Sequence, residues 1–320
     1  MRRLHVISGK GGTGKTTVAA ALALALADKG RRTLLVEVEG RQGIAQLFEA
    51  QALPYEERRI AIGPGGGEVH ALAIDPERAL LDYLQMFYRL GGAGRALRRL
   101  GAVDFATTIA PGLRDVLLTG KACEAVRRRG PDGRFTYDAV VMDAPPTGRI
   151  TRFLGVNSEV AGLARVGPIH HQAQAVMRVL RSPETAVHLV TLLEEMPVQE
   201  TADGIAELRS AGLPVGATVV NMVRPPVVAG VPGPADGDEP ARLAALTAAL
   251  ARAGLPEPAR TAAPLLAQGR AYAHRLALEA DRRAELAALG LPVHELPLLA
   301  DGIDIAGLYR LARLLRDQEW

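Results

Sequence analysis

The residues Gly9-Lys10-Gly11-Gly12-Thr13-Gly14-Lys15-Thr16 fit the spacing G-x-x-x-x-G-K-[ST], and each residue type has a task in it. Glycines let a loop turn its backbone N–H groups onto phosphate oxygens, and a helix starting there aims its positive end at the same point. Gly11, Gly12, Thr13 and Gly14 are expected to form that cradle, with Lys15 reaching the terminal phosphates. The Thr16 hydroxyl is expected to ligate Mg²⁺, and Thr17 completes the binding run. A second constellation is Val140-Val141-Met142-Asp143-Ala144-Pro145-Pro146-Thr147-Gly148-Arg149. An acid closing a buried strand is the Walker B position, so Asp143 is expected to hold the Mg²⁺ or its water shell. Gly148 can present a backbone N–H that senses the last phosphate.

These residues need a strand, a loop and a helix in that order. Residues 4–7 form an apolar run ended by Ser8-Gly9, which predicts a buried strand. Residues 16–29 carry apolar side chains on nearly every face, as a helix packed on a sheet does, and Gly30 is placed to cap it. A second strand is predicted at 33–38, parallel to the first by a right-handed crossover. Further strand-length apolar runs occupy 71–74, 137–142, 186–192, 217–221 and 293–296. Helical patterns separate most of them, so the fold class is α/β, with a doubly wound, mostly parallel sheet of the P-loop NTPase type. Helical stretches at roughly 76–130 and 151–182 exceed what crossovers need and predict an inserted helical subdomain within one domain spanning 1–320. Residues 224–240, rich in Pro, Gly and acid, predict an exposed loop.

Composition narrows the field. A chain of 320 residues with 48% hydrophobic and 23% charged residues has a normal globular balance, which excludes intrinsic disorder and disulfide scaffolds. Cys123 is the single cysteine, so no intrachain disulfide and no CxxC zinc site can form. A net charge of +3 gives no argument for nucleic acid. The longest apolar run, 18–27, is half a bilayer span, and 4–7 is too short for a secretion signal, so a cytoplasmic location is expected. Lysine occurs only at Lys10, Lys15, Lys29 and Lys121. Two of the four sit in the glycine loop, which points to chemistry.

Lys10, one residue into the loop, makes the deviant Walker A signature. It resembles the P-loop ATPase branch of nitrogenase iron protein, the division-site and partition ATPases, and the arsenite-pump ATPase. Asp143-x-x-Pro146-Thr147-Gly148 followed by Arg152-Phe153-Leu154, Pro111-Gly112-Leu113, Asn221 at a strand end and Leu296-Pro297-Leu298-Leu299 narrow the resemblance. Together they look like the arsenite-pump and tail-anchored-protein targeting ATPase family, in an actinobacterial-looking branch without its cysteine motifs. The resemblance spans essentially the whole chain. It implies ATP hydrolysis with Mg²⁺ as cofactor, and a homodimer or a heterodimer with a paralogous ATPase. Lys10 would act across the interface on the partner's nucleotide and, with Asp143, be catalytic. Asn221 would read the adenine edge, and Pro297 would line the base pocket. Leu80, Leu81, Leu84, Phe87, Tyr88 and Leu90 could hold a hydrophobic client on the helical subdomain, and membrane association would come only through a partner or client.

Switch I departs from the family. An aspartate followed by Pro-Ala-His is replaced by Glu39-Gly40-Arg41-Gln42-Gly43. Glu39 is the expected water-orienting catalytic carboxylate, one methylene longer, and a displacement of ~1 Å can cost ~10²-fold in rate. Slow or partner-dependent turnover follows. Arsenite transport needs a thiol cluster, and a zinc-clasped targeting factor needs CxxC; one cysteine supplies neither. The alternatives are a nucleotide-gated regulatory subunit of a heteromeric ATPase and a positioning ATPase on membrane or nucleoid. The latter shares Lys10 and the P-loop but not the switch II run. His170 and His171 are adjacent and cannot share a helix face as a metal pair. Residues 304–320 form a basic amphipathic helix, expected to dock on the sheet rather than on a membrane.

Overall fold

The computed structural model describes residues 2–88, 112–163, 168–225, 239–318 and 320. Strand β1 (Leu4–Gly9) runs through the interior of an eight-stranded sheet with β2 (Arg32–Glu37), β3 (Arg58–Ile62), β4 (Glu68–Ala73), β5 (Ala139–Asp143), β6 (Thr185–Thr191), β7 (Val215–Val223) and β8 (Val293–Pro297). The order is β3-β4-β2-β5-β1-β6-β7-β8. Every neighbouring pair is parallel except β3 with β4. The α/β class and the mostly parallel sheet are those the sequence predicts. The edge strand β3 is not among the seven predicted, because Arg58 and Arg59 open it and it buries no residue fully. A half-solvated edge carries too little apolar signal to be read.

Chain reversal across the sheet centre makes the site. From β1 the chain crosses β5 to reach β2, while β6 lies on the other side, so the loops after β1 and β5 leave the carboxyl end side by side. Crevices at such switch points are where open α/β sheets bind ligands. Gly9 makes the exit from β1 possible: its φ is 149°, and a Cβ there would lie 2.1 Å from the Val190 carbonyl oxygen.

Helix α1 (Lys15–Leu26) follows the loop and buries every residue from Val18 to Ala25. One side lies on the sheet and another against a late helix (Ile305–Asp317), whose Leu308, Leu311, Ala312 and Leu315 complete the same core. The stripe of Leu308, Leu311, Ala312 and Leu315 on the final helix is therefore covered by α1, while Arg310, Arg313 and Arg316 meet solvent. Asp304 caps it by accepting the Gly307 N–H at 2.7 Å.

The short α2 (Gly43–Leu47) follows β2, and α3 (Pro76–Tyr88) follows β4. The opposite face is covered by α4 (Leu113–Arg127), α5 (Thr147–Leu163), α6 (Pro168–Leu180) and α7 (Glu195–Ser210). Cys123 is fully enclosed in this layer, where burial pushes its thiol up to about 12, so it is core packing and not a reactive thiolate. Leu80 is buried and Leu81 packs beside it. The side chains of Leu84, Phe87, Tyr88 and Leu90, Pro111, and residues 226–238 of the predicted loop lie outside the described residues. Then α8 (Glu239–Arg252) and the 31-residue α9 (Pro258–Ala288) pair as a largely exposed hairpin, and α10 (Ile305–Asp317) closes the order. Among the described residues no helix is long and apolar enough to cross a membrane.

A histidine stack lies within the sheet. His188 Nδ1 accepts the Ala217 N–H at 3.0 Å, so its Nε2 carries the proton and donates to His5 Nδ1 at 3.2 Å. Trp320 packs on His188 and His294, ring centroids 4.6 and 4.5 Å away. Burial holds His5 down to about 4 and His188 well below the usual imidazole range. The unfolded chain binds these protons near pH 6.5 and the folded chain does not, so the stability is complete above 6.5 and is lost as pH falls towards 4. Urea titrations should show a loss of roughly 2–3 kcal/mol from His5 between pH 7 and pH 4.5. His5→Phe should make that slope shallower, leaving the share of His188; an unchanged slope would place the proton-linked group elsewhere.

Candidate nucleotide site

The loop after β1 is closed by its own backbone: Thr13 donates to the Lys10 carbonyl through its N–H (3.3 Å) and its hydroxyl (2.9 Å). Gly14 takes φ 84°, and a Cβ there would meet Asn221 Nδ2 at 2.4 Å, so glycine is required for geometry and for space alike. Asn221 Nδ2 in turn donates to the Thr13 carbonyl at 2.9 Å. The end of β7 thus props the loop from below. Lys15 curls over the loop, its Nζ 3.3 Å from the Lys10 carbonyl. Burial lowers its pKa, while the Asp143 and Glu39 charges oppose that.

A cavity of about 310 Å³ opens at the start of α1, lined among others by Gly12, Gly14, Lys15, Thr16, Thr17 and Asp143. Thr16 Oγ1 donates to Asp143 Oδ2 at 2.7 Å, which ties the P-loop helix to β5. Burial raises Asp143 to about 6; the Thr16 hydrogen bond and Lys15 work against this, while Glu37 and Glu39 add to it. A hydroxyl and a carboxylate at the mouth of a phosphate cradle suit Mg²⁺ that arrives with phosphates and keeps several waters. Among the described residues no group of three or more His, Cys, Asp or Glu side chains could hold a metal by itself.

Glu37 is the site residue that sequence reading passed over. It closes β2 in register with Asp143, is 2% exposed, and accepts the N–H groups of Gln42 and Ile44. Those bonds fold residues 38–43 into the switch I turn. It read as one more strand position; the signal available was an acid ending a buried strand. Glu39 faces the phosphate cavity with Arg41 as its ion partner at 3.7 Å. Gln42 has a left-handed backbone (φ 56°) and turns its amide away to bond both the N–H and the carbonyl of Leu53.

The remaining candidates spread around the rim. Gly11 is exposed on the loop, and Gly148 is exposed in the first turn of α5. Ser8 Oγ donates to the Pro145 carbonyl at 2.7 Å and so pins the switch II loop to β1. Lys10 leaves its own phosphate cavity and forms an ion pair with Glu200 of α7, whose other oxygen accepts the Thr147 hydroxyl at 3.4 Å. Pro297 ends β8 opposite Val223, and the Leu298 N–H bonds the Val223 carbonyl at 2.8 Å. This places Pro297 on the Asn221 side of the loop.

The sequence is similar to known proteins over these same elements. Residues 2–183 match the family described as "Anion-transporting ATPase". The chain is 52% identical over 322 residues to ATPase BagA of Mycobacterium tuberculosis, covering 99% of this chain and 93% of that protein. It is 28% identical over 248 residues to the arsenical pump-driving ATPase of Escherichia coli, covering 68% of this chain and 39% of that protein. It is 24% identical over 251 residues to ATPase GET3 of Kluyveromyces lactis, covering 68% and 71%.

The raised Asp143 carboxyl carries a stability cost in the metal-free protein: its folded pKa exceeds the unfolded one, so the penalty grows as pH rises from about 4 to 6 and persists above. Asp143→Asn should raise metal-free stability at pH 7.5 by roughly 1–3 kcal/mol and abolish ATP turnover. Calorimetric melting beside a phosphate-release assay checks both; a destabilised variant would contradict the charge assignment.

Proposed function

As a member of the anion-transporting ATPase family the chain is an ATPase, and we propose that its nucleotide state opens and closes a face-to-face dimer acting on a client or partner. The dimer is homomeric or formed with a paralogous ATPase. One observation carries this reading: Lys15 and not Lys10 serves the chain's own phosphate cavity, while Lys10 is parked on Glu200 at the loop's outer rim. A cation so placed has its use across an interface, where a desolvated ammonium stabilises the developing phosphate charge far more than in water.

The roles follow from position. Gly11, Gly12, Thr13, Gly14, Lys15, Thr16 and Thr17 bind the phosphates, and Gly148 presents its N–H to the last of them. Thr16 and Asp143 would hold Mg²⁺, which supplies charge neutralisation when bound. Glu39 orients the attacking water, and Asn221 and Pro297 border the base. A cavity of about 300 Å³ among α3, α4 and α6, lined by apolar Ala79, Val116, Leu117 and Val176 and by charged Asp82, Lys121, Glu124, Arg127 and Arg128, supports a client site on the helical layer.

Glu39 and Gln42, standing where the family carries an aspartate and a histidine, favour a second reading, a nucleotide-gated regulatory subunit. Glu39→Ala should bind ATP normally and lose turnover, since the group is needed mainly in the transition state. Glu39→Asp turning over faster than the parent would favour the regulatory reading.

The dimer itself is tested by mixing Lys10→Ala protein with Lys15→Ala protein. Each alone should be inactive. The mixed dimer pairs one intact P-loop lysine with a Lys10 from its neighbour, so one site should regain turnover, at most about half the parent rate per dimer. No recovery in mixtures shown by native mass spectrometry to contain the heterodimer would confine Lys10 to its own subunit.

A further inference from the structure

A second, smaller cavity, about 90 Å³, lies on the Asn221 side of the P-loop, walled by Leu193, Asn221, Met222, Leu298 and Glu279. Glu279 comes from α9, far from every motif in the sequence, and is 3% exposed. Its Oε1 accepts from Arg224 Nη1 at 2.8 Å, with Arg275 Nε at 3.5 Å, while its Oε2 has no hydrogen-bond partner. A buried carboxylate oxygen left unpaired is costly, and folded proteins rarely keep one without a use. The cavity wall is strained as well. The β7–β8 register slips between Val220 and Val223, and there Met222 takes a left-handed backbone (φ 55°) that leaves its side chain 40% exposed. Such strain gathers at ligand clamps.

We propose that Glu279 is the specificity-determining residue for the nucleotide base: its free Oε2 accepts an N–H of the exocyclic amino group of adenine. The base would lie against Met222, with Asn221 at the neighbouring edge. This rests on the reading above that Asn221 and Pro297 border the base. The count of free acceptors selects the base. Guanine offers two adjacent N–H donors, which a carboxylate matches only with both oxygens free, and it turns a carbonyl oxygen where adenine has its amino group. Arg224 occupies one oxygen of Glu279. One free acceptor matches one amino donor, and a site built to pair a donor discriminates strongly against analogues that lack it.

The test compares three probes on the full chain by calorimetry with Mg²⁺: ATP, purine riboside triphosphate (adenine without its amino group) and inorganic tripolyphosphate. The parent should bind ATP at least about tenfold more tightly than purine riboside triphosphate. Glu279→Gln turns an amide donor into the cavity once its oxygen takes Arg224, and should bind the two within about twofold. Tripolyphosphate should bind both proteins equally, which shows an intact fold and phosphate loop. A parent without the preference, or a Glu279→Gln protein that keeps it, overturns the assignment; loss of tripolyphosphate binding in Glu279→Gln marks a structural role and overturns it too. Met222→Ala separates the two levels. If it weakens ATP but not tripolyphosphate while Glu279→Gln keeps the preference, only Glu279 is misassigned. If it changes neither affinity, the base lies elsewhere and the base-pocket reading falls with the proposal.

Discussion

A carboxylate held at the end of the central strand β5, against its own desolvation, is the constraint on which the site depends. Burial raises the Asp143 carboxyl to about 6, and Glu37 and Glu39 nearby make its charge costlier still. What keeps it useful is the Thr16 hydroxyl and the Lys15 ammonium, both delivered by the helix that the glycine loop starts. Asp143 comes from β5, Glu37 from β2, and Lys15 and Thr16 from α1, so the arrangement exists only once those elements are packed together. Gly9 pressed on Val190 and Gly14 pressed on Asn221 show how little slack those positions have.

Legibility in the sequence followed burial. The interior strands β1, β2, β5, β6 and β7 are mostly apolar runs because helices cover both faces of a parallel sheet, which makes them readable from the sequence. The P-loop stood out because its glycines and lysines have few other reasons to occur at that spacing. Edge and exposed elements were the hard part. Strand β3 carries arginines, and the long α9 buries only Ala262, Glu279 and Leu286 among its 31 residues. An element with so little apolar face has almost no pattern to read.

The same distinction separates the site residues that were found from those that were missed. Lys15, Thr16 and Asp143 belong to local motifs, and the structure brings them to one cavity. Glu37 acts through the backbone of Gln42 and Ile44, which no residue spacing announces. Asn221 could be placed at a strand end, yet its hold on the Thr13 carbonyl joins positions 208 residues apart. Contacts of that reach arise from topology and become visible only when the sheet order is known.

Helix α1 has a consequence for how the chain acquires its structure. Its eight consecutive buried residues, alanine and leucine with one valine, give it no solvent-facing side; the sheet takes one flank and α10 the other. Full burial of residues 15–26 therefore depends on residues 305–317, a contact that spans nearly the entire chain. High sequence separation slows folding, because loop-closure entropy is spent before the contact repays it. A fragment ending before α10 would expose an apolar flank of α1 that the full chain keeps covered.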